Sequence, residues 1–144
     1  MSYIGYKKNN LFVERVSVKK LASRITSPFY LYSKGNIVQN YKSFLNNFKK
    51  SNPLICFSVK ANSNIQILKI LKKMGSGADV VSGGELLKAI KSGIKPNKIV
   101  FSGVGKTEDE IKLAIKKNIL LINVESENEA ILINKISAKL NKKT

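Results

Sequence analysis

The sequence contains no histidine, no tryptophan and a single cysteine, Cys56, in 144 residues. One cysteine cannot form an internal disulfide, so a reducing compartment is expected, with Cys56 as a small interior filler rather than a reactive thiol. No apolar run approaches the length of a membrane span, and residues 1–7 lack the apolar core of a signal peptide. These absences predict a cytoplasmic protein that does not enter a membrane.

Arginine is scarce although the formal net charge is +17. Only two of the 26 basic residues, Arg15 and Arg24, are arginine, and the lysines are spread over most of the predicted helices. Arginine is the side chain that normally reads phosphates and bases through paired hydrogen bonds. We therefore attribute the charge to solvated helix faces and expect no nucleic-acid partner.

From about residue 53 onward, apolar segments of strand length alternate with segments of helical periodicity. The first predicted helix spans 64–74. The later helices begin at Ser82, Thr107 and Ser126, the last two with capping boxes. The predicted strands are 54–59, 78–81, 98–101 and 119–124. Short connections between strand and helix indicate four parallel βα units.

The residues before this series show other patterns. Residues 11–18 alternate like a strand, 18–25 fit a short helix, and 28–32 are again strand-like. Ser33 is predicted to cap a longer helix. The predicted buried stripe of that helix consists of Ile37, Tyr41, Phe44, Leu45 and Phe48. Because four βα units are half of a barrel that usually needs about 250 residues, we expect the chain to be a piece of a longer one.

Lys60 is the first candidate for chemistry. It follows the apolar run 54–59, and strand alternation would place it on the same face as Cys56 and Ser58. The carboxyl ends of parallel strands are where active sites collect in α/β proteins. A lysine held there among apolar neighbours can lose its proton and form an imine. The alternative is an ordinary solvated lysine.

Asp79 is the second candidate, because it lies in an otherwise apolar strand where an ionised carboxylate is costly unless paired. It is predicted either to face a cation on the strand of Lys60 or to accept a hydrogen bond at the strand edge. The backbone amides after Ser82 could form an anion-binding site at the start of the helix, or Ser82 could be an ordinary helix cap. Residues 101–107 contain the Gly-Lys-Thr of a P-loop, but position 100 is valine where that loop needs glycine, so a capped βα turn is preferred.

Several stretches together resemble the alanine-racemase-like, fold-type III family of pyridoxal-phosphate enzymes. In chain order they are Pro28–Ser33, Phe57–Asn62, Asp79–Leu86, Ile99–Thr107 and Asn123–Ser126. The Ser-Gly-Gly-Glu and Ser-Gly-Val-Gly-Lys-Thr sequences are most similar to the diaminopimelate decarboxylase branch. Ornithine and arginine decarboxylases share the lysine strand and stay open as an alternative.

The resemblance implies about the first four units of a TIM-like (β/α)8 barrel, with pyridoxal 5'-phosphate held by Lys60 and Asp79 close to that lysine. It assigns residues 1–25 to a β-rich domain and 26–144 to the N-terminal half of the barrel. It also implies decarboxylation of meso-2,6-diaminopimelate to L-lysine and CO2, in which the cofactor accepts the electrons that the departing carboxylate leaves. The site would be completed across a homodimer interface.

Four features of the family pattern are absent from the 144 residues. They are the histidine that stacks on the cofactor ring, the later glycine-rich phosphate loop, the glutamate for the pyridine nitrogen, and the C-terminal cysteine and tyrosine. We therefore predict that this chain alone is inactive and poorly stable. A non-catalytic cofactor-binding remnant is a further alternative.

Overall fold

The structure, a computed structural model, describes residues 3–143 except for the side chain of Lys49. The described part forms two compact units, and the boundary between them falls between Phe48 and Lys49. No helix in this part of the chain is long and apolar enough to cross a membrane.

The first unit contains a three-stranded antiparallel sheet in the order β1-β2-β3. Its strands are Ile4–Lys7, Asn10–Val13 and Val16–Ser17. The single strand predicted over 11–18 is wrong, because Glu14 has a φ of 55° and turns the chain back between β2 and β3. Helix α1, Val18–Ala22, lies inside the helix predicted over 18–25.

Helix α2, Lys34–Asn47, begins at the predicted cap, where the Ser33 hydroxyl accepts a hydrogen bond from the Asn36 amide at 3.0 Å. The predicted buried stripe is not found: α2 has no buried residue in the described part, and Phe44 is 53% exposed. The reason is that no other element of this unit packs extensively against α2. The strand-like piece at 28–32 also forms no strand, because none of the described strands pairs with it.

The second unit is a parallel sheet in the order β4-β5-β6-β7 with one helix after each strand. The strands are Cys56–Ser58, Gly77–Val80, Ile99–Phe101 and Leu121–Ile122. The helices α3 to α6 are Ile65–Lys73, Gly83–Lys91, Glu108–Lys117 and Glu127–Lys139. The four predicted βα units are confirmed, although β4, β6 and β7 are shorter than the apolar segments that predicted them, and β5 lies one residue earlier than its segment.

The two faces of this sheet differ in chemistry. On one face the helices bury a continuous apolar core that includes Ala78, Val80, Ile99, Phe101 and Ile122. The opposite face carries the residues that alternate with these, and the strand register places Ser58 beside Asp79 and Asp79 beside Val100. Polar side chains on this second face are therefore free to form a site at the carboxyl edge of the sheet.

Helices α4, α5 and α6 all begin with Ser or Thr followed three residues later by Glu. At α5 the Thr107–Glu110 capping box is complete, as predicted. At α6 the Ser126 hydroxyl accepts from the Glu129 amide at 3.2 Å, but the Glu129 carboxylate accepts from the amide of Glu125, at 2.7 Å, instead of that of Ser126. The box predicted at α6 is thus incomplete, because the Glu129 side chain reaches one residue further back.

Candidate functional site

Lys60 lies at the carboxyl edge of the sheet, as predicted, but in a turn rather than on the strand. Strand β4 ends at Ser58, and Val59–Ala61 form a single 3-10 turn that packs against β5 and α4. The turn closes because the Val59 carbonyl accepts from the Asn62 amide at 3.1 Å. The strand alternation that placed Lys60 beside Cys56 and Ser58 therefore stops before it, and that part of the prediction is wrong.

The turn contains one buried residue, which is followed directly by an exposed one. The Val59 side chain is completely buried in the core, whereas Lys60 is exposed. Lys60 is therefore not held among apolar neighbours, contrary to expectation. Within the described residues its ammonium has no hydrogen bond and no ion pair. The structure thus fixes the backbone of Lys60 and leaves its amine available to a ligand.

Asp79 points to the polar face of β5 and is half-buried. Its Oδ1 accepts a hydrogen bond from the Ser102 hydroxyl at 2.6 Å. The Ser102 oxygen in turn accepts from the side-chain amide of Asn123 at 2.9 Å. No ion pair within the described part of the chain involves Asp79. Of the two roles considered for this carboxylate, the hydrogen-bond acceptor is the one that the structure displays.

Ser58 completes a line of polar side chains across the carboxyl edge. Its register partner on the neighbouring strand is Asp79, and its hydroxyl oxygen is buried without a hydrogen-bond partner in the described residues. A buried hydroxyl left unpaired costs about 1–3 kcal/mol, so it normally has a partner. We call Ser58, Asp79, Ser102 and Asn123 the polar row; each is the last residue on this face of its strand or the first beyond it.

Sequence reasoning identified only Asp79 as a functional member of the polar row. The other three were present in the sequence as polar residues near the end of an apolar strand, each on the parity opposite to the buried side chains. This pattern can be interpreted only when the register of the four parallel strands is known, because the register places the four side chains at one edge of the sheet.

Lys106, from the Gly-Lys-Thr sequence, points inward. Its side chain is only 1% exposed and pairs with Glu129 at 3.1 Å. The ammonium also donates to the carbonyl oxygens of Gly103 and Asn123, both at 2.7 Å. These acceptors use the three N–H groups of the lysine, so none is left for a phosphate. The preference for a βα turn over a P-loop is confirmed.

Glu110 joins the loops before α4 and α5. Its carboxylate accepts from the Gly83 amide at 2.7 Å and from the Thr107 amide at 3.0 Å. Of these two donors the Gly83 amide contributes most to lowering the pKa of the Glu110 carboxyl. The Gly83 amide is thus bound by a protein carboxylate, and Ser82 caps α4 by accepting from the Glu85 amide at 3.3 Å.

We predict a pH-dependent effect of the Glu110→Gln substitution. A carboxyl whose pKa is lower in the folded state stabilises the fold above its unfolded pKa of about 4.3, and this contribution disappears as the pH falls through the folded value. The difference in urea midpoint between wild type and Glu110→Gln should therefore be largest at neutral pH and shrink below about pH 4. Glu127→Gln, in the first turn of α6, is the matched control and should change the midpoint little. An equal loss at both pH values would contradict the assignment.

Cys56 lies on the polar face of β4, in register with Gly77. Burial raises the pKa of its thiol, and the nearby Asp79 carboxylate raises it further. A thiol with a raised pKa carries little thiolate at neutral pH and is a poor nucleophile. This agrees with the expected role as an interior filler.

The chain is similar to known proteins over nearly its whole length. Residues 34–143 match the family described as pyridoxal-dependent decarboxylase, pyridoxal binding domain. The diaminopimelate decarboxylase of Aquifex aeolicus is 45% identical over 141 residues, which are 98% of this chain and 33% of that protein. The chain thus spans about a third of the length of the curated relatives that it matches.

Solved structures agree with this match. A crystal structure of an Aquifex aeolicus protein superposes with a TM-score of 0.95 at 45% identity, covering 99% of this chain and 35% of that one. The diaminopimelate decarboxylase of M. jannaschii in complex with L-lysine superposes with a TM-score of 0.92 at 37% identity, covering 96% of this chain and 33% of that one. The expected fold, about the first four βα units of a TIM-like barrel, is confirmed, and the N-terminal segment expected to belong to a β-rich domain forms a separate antiparallel sheet. The chain belongs to the pyridoxal-dependent decarboxylase family.

Proposed function

We propose that the protein containing this chain catalyses pyridoxal 5'-phosphate-dependent decarboxylation of meso-2,6-diaminopimelate to L-lysine and CO2. The observation that carries the proposal is the position of Lys60: a rigid turn at the carboxyl edge of a parallel sheet presents an amine without a partner. The similarity to diaminopimelate decarboxylases, one of them in complex with L-lysine, supports this choice of substrate over ornithine or arginine.

The residues at this edge fit a polar cofactor. Besides the amine of Lys60, the buried hydroxyl of Ser58 lacks a partner, and Oδ2 of Asp79 accepts no hydrogen bond within the described residues. An amine, a hydroxyl and a carboxylate oxygen on adjacent elements can each bind a ligand that offers both donors and acceptors. Lys60 would hold the cofactor covalently, and Asp79 would contact it.

When bound, pyridoxal phosphate supplies an electron sink for the pair of electrons that remains on the substrate carbon after CO2 departs. The residues of this chain contribute position. Val59 fixes the turn that carries Lys60, and Ser102 fixes the carboxylate of Asp79. Val59 is buried in the core, and Ser102 directly follows strand β6, so the backbone of Lys60 and the carboxylate of Asp79 are held next to packed elements.

A homodimer and a cytoplasmic location are further parts of the proposal. The homodimer is supported by the family resemblance, which implies a site completed across a subunit interface. The cytoplasmic location is supported by the single cysteine, because disulfide-stabilised proteins of oxidising compartments need at least a pair.

The proposal is tested with the complete protein and a panel of meso-diaminopimelate, ornithine, arginine and lysine, with release of CO2 as the measurement. We expect kcat/KM for meso-diaminopimelate to exceed the others by at least about 10²-fold. Borohydride reduction followed by peptide mapping should place the cofactor on Lys60. A preference for ornithine or arginine would show that meso-diaminopimelate is not the substrate. Cofactor binding without turnover would favour the alternative of a non-catalytic cofactor-binding remnant. Labelling of another lysine would contradict the assignment of Lys60.

A further inference from the structure

The inward-pointing Lys106 has no role in the proposed function, although its burial demands an explanation. Lysine is almost never fully buried unless its charge is paired. Here the partner Glu129 is itself only 10% exposed, and the ring of Phe101 lies 5.9 Å from the ammonium. A pair so well shielded from water is held in one geometry, unlike a surface ion pair.

The contacts of this pair join two loops. Lys106 comes from the loop after β6 and donates to the carbonyl of Asn123 in the loop after β7. In the other direction, the Glu125 carboxylate accepts from the Gly103 amide at 3.1 Å, and Glu129 holds the Glu125 amide at 2.7 Å. We call Lys106, Glu125 and Glu129 the loop clamp. Because these hydrogen bonds run in both directions, a shift of either loop would break at least one of them.

Asn123 is the residue at which the loop clamp meets the polar row. Its amide nitrogen donates to the Phe101 carbonyl at 2.8 Å, and its own carbonyl is held by Lys106. With both backbone groups fixed, the side chain is directed at Ser102, to which it donates at 2.9 Å. Ser102 then donates to Asp79 at 2.6 Å. Asn123, bound by Lys106 at its backbone and bound to Ser102 by its side chain, therefore connects the buried lysine to the carboxylate of the site.

We propose that Lys106 is a positioning residue for this site, acting through Glu129 and Asn123 to hold Ser102 and Asp79 in place. The inference rests on the proposed function only for its effect on catalysis; the effect on Asn123 is a property of this chain. If Lys106 only stabilised the fold, its removal would lower stability and leave the geometry of the polar row unchanged. The two roles can therefore be told apart by measurement.

The test uses the complete protein and the double variant Lys106→Met/Glu129→Leu. Removing Lys106 alone would leave a buried carboxylate and could prevent folding, whereas replacing both partners by apolar side chains of similar size is often tolerated. The matched control is Lys112→Met, which removes the exposed pair of Lys112 with Glu108 at 2.9 Å on α5. Its side chains are 39% and 51% exposed, so its loss should change little.

The first readout is the NMR chemical shift of the Asn123 side-chain amide in cofactor-free protein. Ser102→Ala provides the shift of this amide without its acceptor. In the double variant, we expect the Asn123 amide shift to change toward its value in Ser102→Ala. In Lys112→Met it should keep the wild-type value. A wild-type shift in the folded double variant would overturn the proposal, whatever the activity.

The second readout is steady-state decarboxylation. Hydrogen-bond partners that orient the ligands of metal sites typically contribute about 10- to 100-fold in affinity or activity, and we expect the same range for a group that orients Asp79. We expect a fall of that size in kcat of the double variant with less than about a threefold change in KM. An unchanged kcat would overturn the role in catalysis. If wild-type protein decarboxylates none of the amino acids tested, the proposed function fails. The NMR comparison alone then tests whether the loop clamp holds Asn123 in place.

Discussion

Lys60→Ala is expected to abolish covalent attachment of the cofactor and to lower kcat/KM of the complete protein by at least about 10³-fold. The substitution removes the amine without disturbing the fold, because Lys60 is exposed and has no partner within the described residues. Its neighbour Val59, which anchors the turn, is unchanged. The measurements are CO2 release from meso-diaminopimelate and the visible absorbance of the lysine-bound cofactor after gel filtration.

Two further variants separate the chemistry of Lys60 from its charge. Lys60→Arg keeps a positive charge but offers no nucleophilic amine, since the guanidinium stays protonated. It should therefore be as inactive as Lys60→Ala. Lys69→Ala, which removes another exposed lysine from the following helix α3, is the matched control and should retain wild-type activity. Substantial turnover by Lys60→Arg, or equal losses in Lys60→Ala and Lys69→Ala, would contradict the role of Lys60.

The order of strands and helices in residues 49–143 could be predicted because local signals agree with the packed structure. Apolar runs mark the buried strands, and Thr107 and Glu110 specify the start of α5 with their own side chains. The same holds for the position of Lys60 at a strand end. The alternation of side chains could not show that β4 stops at Ser58, because the 3-10 turn that follows is set by the burial of Val59 and by the hydrogen bond from Asn62.

The rest of the candidate site depends on contacts between residues that are distant in sequence. Ser102 and Asp79 are 23 residues apart, and so are Lys106 and Glu129. Their relation follows from strand register and from which way a loop lysine turns, and neither is encoded by spacing. In the first unit, the turn at Glu14 cannot be read from the sequence, because a positive φ is uncommon for residues other than Gly, Asn and Asp.

Phe101→Ala is expected to lower the free energy of unfolding by about 3–5 kcal/mol, as is usual when a buried aromatic ring is removed. Phe101 is completely buried on the helix-covered face of β6, among the side chains of the apolar core. Since folded domains are stable by only about 5–15 kcal/mol, this loss would remove a large part of the total. Urea unfolding of the complete protein, followed by circular dichroism, provides the measurement.

The consequence extends to the site because of where Phe101 lies in the chain. Its backbone carbonyl accepts from the Asn123 amide, its ring lies beneath the ammonium of Lys106, and Ser102 is the next residue. A cavity under β6 would therefore loosen both the loop clamp and the polar row, so kcat should fall along with stability. Phe101→Leu, which keeps most of the volume, should cost less than about 1.5 kcal/mol. Val104→Ala, at a side chain that is 83% exposed, should cost less than about 0.5 kcal/mol. If Phe101→Ala were no more harmful than these two substitutions, β6 could not be packed against its helices as described, and the support of the site would have to come from elsewhere in the protein.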